Sequence, residues 1–145
     1  MSPITRIRKE VATLANKINQ TVKNLSTAFR RAWKIIKGRV LISKVSGVTY
    51  GSRQKALGRL EKYGAGVINV SLERDGNNTY DANAIRVMVN VGNGAQYQLG
   101  FIPKDLAALL APLLDKGIQL AARFKSVTGG YEGRETRGAL IAIEL

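Results

Sequence analysis

The feature that most constrains this 145-residue chain is a change of hydrophobic period at Gly38–Arg39. Before it, apolar residues fall at Ile4, Ile7, Val11, Leu14, Ile18, Val22, Leu25, Phe29, Trp33 and Ile36. Those steps of three and four trace one face of a helix. After it, β-branched residues alternate with polar ones in short runs separated by glycine and asparagine turns. One secondary structure cannot serve both patterns. The expected organisation is a helical extension over residues 1–38 and a β-rich domain over residues 39–145.

Ser2 and Pro3 supply an N-cap and a first-turn proline for the extension, and Gly38 a natural stop. Ser26 can cap a second helix, which places a candidate break near Asn24–Ser26. Charge follows the same division. The formal net charge is +13; residues 1–44 hold eleven Lys and Arg against Glu10 alone, and the rest of the chain holds twelve against nine acids. Lys23, Arg30, Arg31, Lys34 and Lys37 are therefore candidate nonspecific phosphate contacts. Several roles fit this amphipathic basic segment. Its apolar stripe can pack on the domain or mediate self-association through residues 4–36, and its cations can meet a polyanion or an anionic membrane surface. The stretch "LSTAFRRAWKIIKG" is also similar to a short segment found near the start of small phage-encoded proteins.

In the second part, strands are expected over 39–50, 66–75, 83–91 and 95–102, and in "IQLAARFKSVTG" and "RGALIAIEL". Asn93–Gly94 is a hairpin signal, and "GGYEG" (129–133) reads as a turn. Residues 52–64 carry Ala56, Leu57, Leu60 and Tyr63 at helical steps. Residues 103–117 open with proline and end in glycine, as a helix should, with a kink or break expected at Pro112. The order β-α-β-β-β-α-β-β gives a mainly β, α+β fold: a small β-barrel of about six strands with two short helices.

Several chemistries find no support. Without cysteine or histidine there is no disulfide, no Cys/His zinc site and no Ser-His-Asp triad. The carboxylates show no two-metal spacing, and Asp105 suits the first turn of a helix. The glycine-rich stretches match neither a Walker A loop nor a dinucleotide fingerprint. No enzyme activity, metal or cofactor is expected. No apolar run reaches the ~20 residues that span a bilayer, and no secretory signal is recognisable, so a cytoplasmic address is expected.

Three blocks carry a resemblance: "VSGVTY" (45–50), "NNTYDANAIRV" (77–87) and "LGFIPKDLAALLAPLLDKG" (99–117). Their order and spacing resemble the HIRAN domain family, over about residues 41–145. The resemblance implies an OB-like barrel and a module that binds single-stranded DNA, recognising a 3′ end. It also implies a helicase or nuclease as a partner class, and a place in DNA repair or replication. By position, Tyr50 and Tyr80 would stack on bases, Asp81 would meet the terminal sugar hydroxyl, Asn78 would add a polar contact, and Lys104 would meet phosphate. Gly47, Asn83 and Ala84 would be structural. Thr49 stands where end-binding members can place a basic residue, and Thr79 replaces a frequent proline.

Physical chemistry supports those roles alongside simpler ones. Single-strand binders combine aromatic platforms with cations that track the backbone. A carboxylate beside a polyanion is intelligible if it accepts a hydrogen bond from a free 3′-hydroxyl and penalises other ligands. Equally, Asp81 can close an Asx-turn, the tyrosines can be rim residues, and Lys104 can be a solvated lysine. Arg53, Lys55 and Arg59 share the short helix and could line the same groove, with Tyr131 as a third ring. The rival class is a protein-interaction or assembly module built on self-association of the N-terminal helix.

Overall fold

The computed structural model describes residues 5–6, 8–9, 12–13 and 38–144. Thr5, Arg6, Arg8, Lys9, Ala12 and Thr13 are helical, and the Thr13 hydroxyl donates to the Lys9 carbonyl at 2.8 Å. The cap at Ser2–Pro3, the remainder of the apolar stripe, the break near Asn24–Ser26 and the cations Lys23, Arg30, Arg31, Lys34 and Lys37 lie outside the described residues.

From Leu41 the chain forms six strands and two helices: β1 (Leu41–Lys44), α1 (Arg53–Leu60), β2 (Ile68–Arg74), β3 (Ile85–Val91), β4 (Tyr97–Phe101), α2 (Lys104–Asp115), β5 (Ala121–Thr128) and β6 (Gly138–Glu144). A 3₁₀ turn at Ala65–Val67 precedes β2. All strand pairs are antiparallel, in the order β1-β6-β5-β2-β3-β4. Register shifts between Val87 and Met88, and between Phe124 and Ser126, mark the irregularities that let a strand bend. The sheet curls into a half-barrel whose two edges touch at one point. There Ser46, just past β1, exchanges both backbone hydrogen bonds with Phe101 at the end of β4, at 2.7 and 2.9 Å. The contact requires Gly100, because a Cβ there would collide with the Ser46 carbonyl oxygen.

Alternation decides which side chains fill the barrel. Ile85, Val87 and Val89 on β3 point inward with Ile141 and Ile143 on β6, and all are fully buried. The helices complete the core: Leu57 and Leu60 from α1, Leu106, Leu110 and Leu113 from α2. Each such side chain contributes roughly 1.5–3 kcal/mol by leaving water.

Three local expectations are corrected. The strand predicted over 39–50 pairs as β1 only to Lys44, because Gly47 takes φ +73° and turns the chain towards α1. The β3–β4 hairpin forms, but its left-handed residue is Gly92 at φ +55°; Asn93 and Gly94 do not make the expected turn with positive φ. The α2 helix runs unbroken across Pro112. That proline lies in the last turn, where its missing N–H removes only one bond.

Candidate nucleic-acid interface

Three segments meet where the sheet edges touch. The β1–α1 loop enters at Ser46 through its bridge to Phe101. The β2–β3 loop leaves at Ile85, whose carbonyl accepts from Ile102 N–H at 2.9 Å, and Arg86 pairs with Phe101. The β4–α2 junction then carries Pro103 and Lys104. This one end of the half-barrel therefore presents Tyr50, the Asn78–Asp81 turn and Lys104. All three blocks singled out in the sequence converge there.

The β1–α1 loop is held by Arg53. Its Nη1 donates to the Gly47 carbonyl at 2.6 Å, and its guanidinium lies 5.8 Å from the Tyr50 ring centre and 5.9 Å from that of Phe101. Both distances suit cation–π attraction. Gly47 leaves room for this stack, since a Cβ there would press on Arg53 Nη1 at 3.3 Å. From the other side, Gln54 donates to the Val48 and Arg137 carbonyls and accepts from Arg137 N–H. Tyr50 nevertheless remains 71% exposed.

The β2–β3 loop is braced from within. The Asn78 side-chain oxygen accepts from the backbone N–H groups of both Tyr80 and Asp81 at 2.9 Å, and its Nδ2 donates to Asp75 at 3.1 Å. Asp75 also receives Arg86 at 2.8 Å. The Arg86 and Asn78 hydrogen bonds hold the Asp75 carboxyl below the ordinary carboxylate range. Asp81 Oδ1 accepts from Asn83 N–H at 2.9 Å, so the Asx-turn does form. Among the described residues Oδ2 makes no hydrogen bond, which leaves it available to a ligand. Tyr80 is 93% exposed and touches no other ring or cation among the described residues.

The remaining candidates separate. Lys104 is exposed at the first residue of α2. Arg53 belongs to the convergence point. Arg59 instead faces a cleft of about 460 Å³ between α1 and the β3–β4 hairpin, together with Arg53, Tyr63 and Tyr97. Lys55 is exposed and lines neither feature. Tyr131, 61% exposed, projects from the turn between β5 and β6, where it bridges to Arg134. Asn78 emerges as the brace of its loop rather than a free polar group.

Sequence reasoning missed Phe101 as a ring partner, although it lies inside a quoted block. It missed Tyr63 and Tyr97, which read as ordinary helix and strand residues. Gln54 gave no sequence signal, since its partner Arg137 is 83 positions away. Among the described residues no group of three or more His, Cys, Asp or Glu could hold a metal ion. No helix of the described residues is long and apolar enough to cross a membrane.

Fold and surface together define a small curled β domain with aromatic rings, cations and the Asp81 carboxylate gathered at a single end. The chain belongs to the HIRAN domain family, whose model matches residues 40–143. It is 41% identical over 76 residues to the human helicase-like transcription factor, covering 50% of this chain and 7% of that protein. The rabbit protein of the same name is 45% identical over 58 residues, covering 37% of this chain and 5% of that protein. The chain thus spans less than a tenth of these curated relatives. Among solved structures, the HIRAN domain of human HLTF aligns at 30% identity and TM-score 0.42, over 72% of this chain and 74% of that one. A Lactobacillus plantarum protein aligns at 24% identity and TM-score 0.43, over 72% and 92% respectively.

Proposed function

We propose that this end of the half-barrel binds single-stranded DNA and reads its 3′-hydroxyl terminus, without catalysis. HIRAN is a DNA-binding domain family. The observation that carries the reading is the pairing of a bare ring with a poised carboxylate: Tyr80 at 93% exposure beside Asp81 with Oδ2 uncommitted. A base stacks on Tyr80 and a second on Tyr50. The free 3′-hydroxyl donates to Asp81 Oδ2, where a 3′-phosphate would set charge against charge.

Arg53 bears on the cation that Thr49 does not provide. Its guanidinium is already at the Tyr50 ring, carried there from the first turn of α1. Arg53 thus supplies the phosphate contact from a different position, and Lys104 supplies another across the junction. The basic N-terminal segment adds nonspecific affinity, and a helicase or nuclease is the partner class in keeping with an end-binding module.

The test is competition between oligonucleotides with free and 3′-phosphorylated ends, repeated with Asp81→Ala. The reading expects a clear preference for the free hydroxyl that disappears in the variant. Equal binding of both ends by the unsubstituted protein would remove the end-reading role.

A further inference from the structure

The cleft between α1 and the β3–β4 hairpin has the same chemistry as the proposed terminal site but lies beyond it. Arg59 is exposed on α1, and its guanidinium makes no hydrogen bond or ion pair among the described residues. Tyr63, one turn further along, is 52% exposed, and Tyr97 forms part of the opposite wall. Burial pushes the Tyr97 phenol up, with the Arg59 charge acting in the opposite direction, so cation and ring sense one another. No carboxylate lines the cleft. Its volume, about 460 Å³, falls within the range of roughly 300–1,000 Å³ usual for small-molecule sites.

Arg53 joins the two places, since it stacks on Tyr50 and Phe101 and also lines the cleft. We infer that the cleft is a second nucleotide subsite, taking one base and its phosphate from the same strand on the 5′ side of the bound terminus. The inference rests on the 3′-end reading for its polarity. With the terminal hydroxyl at Asp81, the strand can continue in only one direction, and Arg53 marks the way. Tyr63 provides the stacking face and Arg59 meets the phosphate. A footprint of several nucleotides is normal for a single small barrel of this kind.

The experiment is a length series of 3′-hydroxyl oligothymidylates, from two to ten nucleotides, measured by fluorescence anisotropy. The full chain is compared with the double variant Arg59→Ala, Tyr63→Ala. Both side chains are exposed, and alanine is a good helix former at position 59. The lysine- and arginine-rich N-terminus also favours longer strands, so the variant-to-parent ratio at each length is the readout. The expected result is an unchanged dinucleotide affinity and 3′-hydroxyl preference, with a loss of about five-fold or more on the longer strands. Equal affinity at every length would overturn the subsite, and so would the same proportional loss on the dinucleotide. If the parent ignores the 3′ end yet the variant still loses affinity only on long strands, the end reading fails and the cleft survives without its polarity. A parent that binds no oligonucleotide overturns both.

Discussion

The two loops at the candidate interface are built on opposite plans. In the β2–β3 loop, Asn78, Asp75 and Arg86 fix the backbone from inside, and none of them touches the Tyr80 ring among the described residues. In the β1–α1 loop the brace is itself part of the exposed surface: Arg53 holds the Gly47 carbonyl and lies against Tyr50. The first plan separates folding from binding. The second merges them. Substitutions at the two loops should therefore differ in kind as well as in size.

The largest effect is expected from Arg53→Ala, which removes a cation, a ring contact and a loop brace together. Affinity for single-stranded DNA should fall by about 10- to 100-fold, a range consistent with losing a charge-assisted contact and a well-held stacking platform. Thermal unfolding should also show a loss of about 1.5–3 kcal/mol, as for a hydrogen bond to a charged group. Arg53→Lys should restore only part of either. A purely binding defect with unchanged stability would break the proposed merger of roles.

Tyr80→Ala comes next and sharpens the contrast. Binding should weaken by roughly 1–3 kcal/mol, one stacked base, while stability stays within about 0.5 kcal/mol of the parent. Paired titration and thermal melts check this. A destabilised Tyr80 variant would mean that the ring is structural.

Asn78→Ala reverses that pattern within the same loop. Two backbone N–H groups lose their acceptor, costing about 1 kcal/mol of stability. Affinity should drop only as far as the loop loosens, visible as faster amide exchange at Tyr80 and Asp81.

The smallest effect is a pH dependence. Asp75 is held below its ordinary value of 3.8 in the folded chain, so its contribution is fully present above that value. It is lost as pH falls through the lower folded value. The stability advantage of the parent over Asp75→Asn should therefore be full above pH 3.8 and shrink as the pH is lowered through the depressed folded-state value, as acid-dependent thermal melts would show.

Much of this architecture was legible in the sequence because it is written in local pattern. Alternation marks β2 and β3, and the opening proline and closing glycine mark α2. The Asn78–Asp81 run was singled out from its amide and carboxylate content. What was not legible depends on tertiary contact. Nothing local shows that Gly47 ends β1 by making room for Arg53, or that Gly100 must be small because Ser46 crosses it. Asp81 shows a limit of another sort. Its Asx-turn and its proposed ligand role looked like alternatives in the sequence, whereas the structure uses one oxygen for the turn and leaves the other free of the described residues.

The most direct test of the central claim is an amide chemical-shift titration of the full chain with a short 3′-hydroxyl oligothymidylate. The account predicts that perturbations concentrate on Gly47–Arg53, Asn78–Asp81 and Phe101–Lys104, the three segments that meet at the sheet edges. Perturbations confined to the outer groove around Ile42, Asn69 and Arg123, or to the N-terminal segment alone, would contradict it.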